Sequence, residues 1–162
     1  MKAIMTGSFD PITVGHMEII KKASQFFEEF YVVALINSEK EYTFTLEEKK
    51  EFLTLALEDM PNVKVDAFDG LTADYMHEHG ITKIIRGIRS NSDEEYEKKL
   101  ASLMKAYDSE FETIFIRSHG HFKHISSTMV REYLKKGEDV SDLLPEKVVE
   151  RVMEAYNSKL EK

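Results

Sequence analysis

The chain has 162 residues, a length that predicts one domain with a proper buried core over residues 1–162. No apolar run approaches the ~18 residues of a membrane span, and without cysteine the chain can form neither disulfides nor thiolate metal sites. The formal net charge of −8 argues against a general nucleic-acid binder, whose phosphate contacts would need a basic face. We therefore expect a cytoplasmic protein without membrane or nucleic-acid partners.

In chain order, hydrophobic periodicity alternates between strand-like and helix-like segments. Thr45 and Glu48 form a capping box that opens the second helix, and Pro145 opens the last one. The predicted elements are a strand at 2–5, a helix at 14–27, a strand at 30–37, a helix at 45–57, a strand at 62–68, a helix at 71–79, a strand at 82–86, a helix from 92 or 93 to 107, a strand at 111–117, and helices at 126 or 127 to 136 and 145–156.

This alternation predicts an α/β fold with a single Rossmann-like domain. Its five strands would form a parallel sheet with right-handed crossovers, helices on both faces and a C-terminal helix. Ligands of such folds bind at the carboxyl ends of the strands, near the point where the strand order reverses.

The loop after the first strand reads TGSFDPITVGH, residues 6–16. Gly7 permits close approach of a ligand to the backbone, and Ser8 offers a hydroxyl. His16 lies at the start of the next helix, where the helix dipole attracts anions. The alternative is an ordinary Asp-Pro turn with a histidine of no consequence, since neither the Gly-x-Gly-x-x-Gly nor the Walker pattern is present.

Three further segments follow later strands. Arg86 and Arg89 flank Gly87 in IIRGIRS, a pair suited to multidentate phosphate binding or equally to an ordinary surface. The segment HISSTMVR places hydroxyls at a helix start, which is an anion site or a simple cap. Lys40 follows the second strand and is the weakest signal. Because all four segments fall at carboxyl ends of strands, we interpret them together as a nucleotide and phosphate site.

These segments resemble the nucleotidylyltransferase superfamily, with its (T/H)xGH and ISS(S/T) signatures, and most closely the phosphopantetheine adenylyltransferase family. The stretches GSFDPIT, FTLEEK, RGIRSNSDEEYE, ISSTMVRE and GEDVSDLLPE come in that family's order and spacing over nearly the whole chain. The resemblance implies transfer of AMP from ATP to 4′-phosphopantetheine, giving dephospho-coenzyme A and pyrophosphate in coenzyme A biosynthesis.

The resemblance also implies roles for individual residues. His16, Lys40 and Arg89 would be catalytic, and Ser8, Lys40, Thr72 and Arg86 would bind the acceptor. The residues implied to bind ATP are Ser8, Phe9, His16, Gly87, Ile88, Arg89, Glu97, Phe122, Lys123, His124, Ile125, Ser126, Ser127 and Thr128. Three positions depart from the family pattern: Thr6 replaces a common Pro, Thr72 a larger apolar residue, and Met104 a common Asn near the pantetheine arm.

No residue cluster suggests a dedicated metal site, so Mg²⁺ is expected to enter with ATP, held by phosphates and water. The resemblance further implies a homohexamer and coenzyme A as a possible feedback ligand. Two alternatives remain at this point: an adenylyltransferase acting on nicotinate or nicotinamide mononucleotide, and a nucleotide-binding sensor without catalysis.

Overall fold

The computed structural model of the chain describes residues 1–36 and 39–161, and within them five strands and six α-helices. The strands are β1 (Lys2–Gly7), β2 (Glu29–Ile36), β3 (Val63–Asp69), β4 (Lys83–Ile88) and β5 (Glu112–Arg117). The helices are α1 (Val14–Ser24), α2 (Leu46–Leu57), α3 (Thr72–His79), α4 (Asn91–Tyr107), α5 (Ser127–Lys136) and α6 (Val149–Leu160). All strands pair in parallel, in the order β3-β2-β1-β4-β5, which confirms the predicted fold class.

Apolar residues alternate along the strands and so cover both faces of the sheet. On one face, Met5 and Val32 pack with α1, α2, α5 and α6. On the other face, Ile4 and Val33 pack with α3, and Met104 of α4 packs against the same cluster. Helices therefore cover both faces, as the alternating sequence pattern predicts.

Several element boundaries differ from those predicted. The strands β1 and β4 each run two residues further, and α1 ends at Ser24 rather than at residue 27. The predicted second strand ended at residue 37, which lies outside the described residues. Gly87, predicted to follow the strand, consequently lies inside β4. A glycine is useful there because a Cβ on Gly87 would lie 3.2 Å from Cγ1 of Ile19 in α1.

Two 3₁₀ turns were not predicted. One spans Gly120–His124, and the other spans Glu146–Val148 and so replaces the first turn of the predicted last helix. A 3₁₀ turn is too short to produce a periodic hydrophobic signal.

The strand order reverses between β1 and β4. These strands pair at Ala3–Lys83 and Ile4–Ile84, near their amino ends, and no further ladder pairing between them occurs in the described part of the chain. Their carboxyl ends therefore form the switch point at which ligands of such folds bind.

Candidate active site

A polar cavity of about 520 Å³ opens at the carboxyl ends of β1 and β4. Its walls include the four segments that the sequence pointed to: the loop after β1, the segment that carries Lys40, the end of β4 and the start of α5. The predicted site residues that line it are Ser8, Phe9, His16, Lys40, Arg86, Gly87, Arg89, Glu97, Phe122, Ile125, Ser126, Ser127 and Thr128.

Four other predicted site residues lie elsewhere. Ile88 is buried, and Lys123 and His124 are exposed in the 3₁₀ turn; none of these three lines the cavity. Thr72 lines a second cavity of about 320 Å³, together with Met104.

The loop after β1 presents His16 to the first cavity in a fixed orientation. Thr13 caps α1, and its backbone N–H donates to Nδ1 of His16 at 3.0 Å, while the backbone N–H of His16 donates to Oγ1 of Thr13 at 3.3 Å. An imidazole nitrogen that accepts this bond carries no proton, so in the neutral ring the proton is on Nε2. The ring of Phe9 contacts the imidazole edge on, with centroids 4.9 Å apart.

The environment keeps His16 neutral near pH 7. Burial is the larger cause and the positive charge of Arg89 the smaller one, and together they lower the pKa of His16 to about 4. The side chain is therefore a neutral hydrogen-bond donor aimed into the cavity, and it is not a general base poised near neutral pH.

The α1 start fits closely against the turn that follows β5. A Cβ on Gly15 would lie 3.1 Å from the carbonyl oxygen of Ile125 and 3.3 Å from that of Phe122. Only glycine allows this approach without displacing backbone. The glycine before His16 thus lets the segment 122–125 close one wall of the cavity.

The start of α5 is tied to the first loop. Ser126 caps the helix by accepting from the backbone N–H of Met129 at 3.2 Å, as predicted. The hydroxyl of Ser127 donates to the carbonyl of Pro11 at 2.7 Å, and Arg131 donates to the carbonyl of Asp10 at 2.8 Å. Ser127 and Thr128, the first two residues of α5, line the cavity, and the dipole at a helix start favours an anion.

The two arginines of β4 and its following loop differ in environment. Arg86 forms a two-point ion pair with Glu97, from Nε to Oε2 and from Nη2 to Oε1, both at 2.8 Å. Its Nη1 donates to the carbonyl of Thr6 at 3.2 Å. Arg89 is more exposed and lies 3.6 Å from a carboxylate oxygen of Asp93 on α4.

The two cavities share a wall. Thr6, Arg86 and Glu97 line both of them. The second cavity is otherwise mainly apolar, and its remaining lining residues are Thr72, Ile84, Leu100, Ala101, Leu103, Met104 and Thr113. The arrangement suits a ligand with an anionic group at the junction and a mainly apolar arm beyond it.

Some lining residues were not predicted. They include Met5, Asp10, Ile19, Glu41, Tyr42, Ile85, Asp93, Tyr96, Ser118 and Arg131. The carboxylate of Asp10 accepts the backbone N–H groups of Thr43 and Phe44 at 2.9 and 3.0 Å, and thereby ties the segment carrying Lys40 to the first loop. In the sequence, Asp10 had only the signal of a turn-forming Asp-Pro pair.

A buried lysine adjoins this anchor. Lys49 of α2 is 1% exposed, and among the residues that the structure describes its Nζ has no hydrogen-bond partner. The ammonium lies 3.5 Å from the ring centroid of Tyr42, a cation–π contact. Burial is the main cause that lowers the pKa of Lys49, and Arg131 lowers it further, whereas Asp10 raises it. Helical spacing indicates the burial of Lys49, because this residue shares the apolar face of α2 with Phe52 and Leu53.

Lys49 should make stability depend on pH. Its folded-state pKa lies below the unfolded value of 10.5, so the folded chain gives up the proton first and gains stability as pH rises toward 10.5. We therefore compare the melting temperatures of the wild type and of Lys49→Met. The difference, wild type minus variant, should increase by about 2 °C or more between pH 7 and pH 10.

The matched control is Lys50→Met, which changes an exposed lysine of the same helix. Calorimetric melting of the three proteins over this pH range is the measurement. A difference between wild type and Lys49→Met that stays constant with pH would contradict the expectation.

Comparisons with known proteins are consistent with a nucleotide site. A family model described as cytidylyltransferase-like matches residues 4–133. The chain is 41% identical over 158 residues to the phosphopantetheine adenylyltransferase of Finegoldia magna, with 98% of each chain covered. It is 42% identical over 155 residues to the phosphopantetheine adenylyltransferase of Staphylococcus carnosus, with 96% of each covered.

Among solved structures, the fold is similar to that of a bifunctional NMN adenylyltransferase/ADP ribose pyrophosphatase from Francisella tularensis. The TM-score is 0.67 at 16% identity, over 88% of this chain. The chain spans 44% of that longer protein. At this identity the likeness shows the shared fold.

Proposed function

This chain belongs to the phosphopantetheine adenylyltransferase family, and we propose that it transfers AMP from ATP to 4′-phosphopantetheine, giving dephospho-coenzyme A and pyrophosphate. The observation that carries the proposal is the pair of cavities that meet at Arg86. The polar cavity suits ATP, the junction suits the acceptor phosphate, and the mainly apolar cavity suits the pantetheine arm.

The reaction is a displacement at phosphorus. An oxygen of the acceptor phosphate attacks the α-phosphorus of ATP, a new P–O bond forms in line, and the bond to the departing pyrophosphate breaks. The attacking oxygen is already anionic near neutral pH, so no general base is required. Catalysis then consists of positioning the two substrates and stabilising the charge that develops during transfer.

The residues of the cavity divide between the two substrates. Ser8, Lys40 and Arg86 would hold the acceptor phosphate. Nε2–H of His16, the Arg89 guanidinium and the start of α5 would hold the triphosphate and the departing pyrophosphate. The neutral state of His16 supports this role, because a fixed N–H donor needs no proton transfer to act.

Residues 1–36 and 39–161 contain no group of three or more His, Cys, Asp or Glu side chains that could hold a metal ion. We propose that Mg²⁺ arrives bound to the phosphates of ATP, where it would neutralise phosphate charge.

A substrate comparison tests the proposal. Release of pyrophosphate from ATP should occur with 4′-phosphopantetheine and not with pantetheine, which lacks the attacking phosphate. Nicotinamide and nicotinate mononucleotide, the acceptors of the alternative transferases, should react far more slowly because they have no arm to fill the apolar cavity. Absence of turnover with every acceptor, despite ATP binding, would instead identify a nucleotide sensor.

The apolar cavity allows a specific prediction for Met104, whose thioether is at best a weak hydrogen-bond acceptor. We expect Met104→Asn to change the KM for phosphopantetheine by no more than ~10-fold, about the 1.4 kcal/mol of one net hydrogen bond. The turnover number should stay nearly constant because the arm is remote from the reacting phosphorus.

Steady-state kinetics of Met104→Asn and of Met153→Asn provide the measurement. Met153 is a partly buried methionine on the other face of the sheet, so the same exchange there reports only general effects on packing. A collapse of turnover in Met104→Asn with an unchanged acceptor KM would place residue 104 at the reacting centre instead.

We further propose that the protein is a homo-oligomer, a hexamer by family resemblance, that works in the cytoplasm and binds coenzyme A as a feedback ligand. Leu71, Leu103 and Tyr107 are each more than 60% exposed, and burial of such large apolar side chains between subunits would favour association. No helix of the described chain is long and apolar enough to cross a membrane. Light scattering after size-exclusion chromatography would measure the number of subunits.

A further inference from the structure

Glu97 places a carboxylate in a site proposed for two polyanionic substrates. It is 8% exposed and lines both cavities, so an unpaired carboxylate here would repel the phosphates of either substrate. Resemblance to the family implies a contact with ATP. Within the protein, the hydrogen bonds of Glu97 go to Arg86.

Both carboxylate oxygens of Glu97 are bonded to Arg86. Oε2 accepts from Nε and Oε1 accepts from Nη2, each at 2.8 Å, which is the two-point geometry of a strong charge-assisted pair. The pair leaves no net charge at the junction. Because two hydrogen bonds join the carboxylate to the guanidinium, the guanidinium of Arg86 cannot rotate while the pair persists.

The donors of Arg86 can be counted. A guanidinium has five N–H groups. Glu97 takes the one on Nε and one on Nη2, and the carbonyl of Thr6 takes one on Nη1. One N–H on each terminal nitrogen therefore remains for a ligand. Two donors on adjacent nitrogens are the number and spacing that bind two oxygens of one phosphate.

We infer that Glu97 is a positioning residue of the acceptor site, which holds Nε and Nη2 of the Arg86 guanidinium so that the remaining N–H groups on Nη1 and Nη2 receive the phosphate of phosphopantetheine. The inference rests on the proposed function for the identity of the acceptor. Glu97 acts through Arg86, so its replacement should weaken recognition of the acceptor phosphate and leave the binding of ATP largely unchanged.

The experiment measures the phosphate-specific part of acceptor binding. Phosphopantetheine and pantetheine are titrated calorimetrically into the wild type and Glu97→Gln, and ATP is titrated separately. Glutamine keeps the size of the side chain and one carbonyl acceptor, but loses the charge and the second bond. We expect phosphopantetheine to bind about 10- to 100-fold more weakly, while affinities for pantetheine and ATP change by less than about threefold.

Glu94 provides a matched control on the same helix. Its carboxylate pairs with Arg117 at 2.8 Å and does not line either cavity. Glu94→Gln also removes an Arg–Glu ion pair, here a more exposed one with a single bond, and should leave all three affinities unchanged. Glu97→Asp is the second variant, for use if Glu97→Gln does not fold; it retains the charge and should recover part of the lost phosphate affinity.

A double-mutant cycle separates positioning from a general structural effect. If Glu97 acts only through Arg86, Glu97→Gln should cause little further loss in an Arg86→Ala background. Equal losses in both backgrounds, or a loss of ATP affinity as large as that for phosphopantetheine, would overturn the inference. Failure of the proposed function is visible in the wild type alone: it would bind pantetheine as tightly as phosphopantetheine.

Discussion

Replacing His16 with alanine should lower the turnover number by ~10²–10³-fold, the usual cost of removing one donor that stabilises a transition state. The affinity for ATP should change far less. The structure supplies the reason: Nδ1 is occupied by the N–H of Thr13, so Nε2–H is fixed as a donor at the cavity. An interaction that strengthens only as charge develops lowers the turnover number without lowering ground-state binding.

The fold control for this change is His16→Gln. A glutamine at this position can still accept the N–H of Thr13, because Gln is a normal partner in a capping box. Melting temperatures should therefore separate loss of the helix cap from loss of catalysis. Rapid single-turnover measurements with both variants test the assignment, and turnover of His16→Ala close to that of the wild type would refute it.

The pH dependence of the wild type offers an independent check on the same residue. With a pKa of about 4, His16 is neutral throughout the range from pH 6 to pH 8. The turnover number should consequently show no inflection attributable to this histidine in that range. Below pH 6.5 the unfolded chain takes up the proton first, so His16 contributes less stability as pH falls toward 4.

Arg86→Ala is expected to have the second large effect. It removes the two N–H groups available to the acceptor phosphate and leaves the buried carboxylate of Glu97 without its partner. Truncating one member of such a charge pair typically costs 2–5 kcal/mol, so affinity for phosphopantetheine should fall by ~10²-fold or more. ATP should be affected less.

Arg117→Ala is the matched control, because this arginine lies on the neighbouring strand and pairs with Glu94 away from the cavities. Calorimetric titration of both substrates into the two variants is the measurement. Equal losses of ATP and phosphopantetheine affinity in Arg86→Ala would mean that this residue serves the nucleotide instead.

The fold was predictable because each element has a local cause. The parallel sheet follows from the alternation of apolar strands with amphipathic helices, and the loop that carries His16 follows from glycine, hydroxyl and helix-start signals within eleven residues. The common location of the four polar segments followed from one rule, that parallel strands present their carboxyl ends at one edge of the sheet.

The sequence contains no comparable indication of which distant residues pair with one another. Nothing local indicates that Glu97 meets Arg86 or that Asp10 accepts from the backbone at Thr43 and Phe44, since both depend on how α4 and the second loop pack. Lys49 was an intermediate case. Its helical spacing places it on the buried face, but a lysine is rarely fully buried, and that preference favours a solvent-exposed position.

The separation of β1 from β4 at their carboxyl ends also affects how bound ligands change the stability of the fold. Beyond Ile4 and Ile84, these two central strands are bridged by the bond from Arg86 to the carbonyl of Thr6. Substrates bound at this separation would contact both halves of the sheet at once. Ligands that bind only the folded chain add about 2.7 kcal/mol at a concentration 100 times their dissociation constant. The sheet would therefore be more stable while substrates are bound, and it would lose this added stability when the products leave.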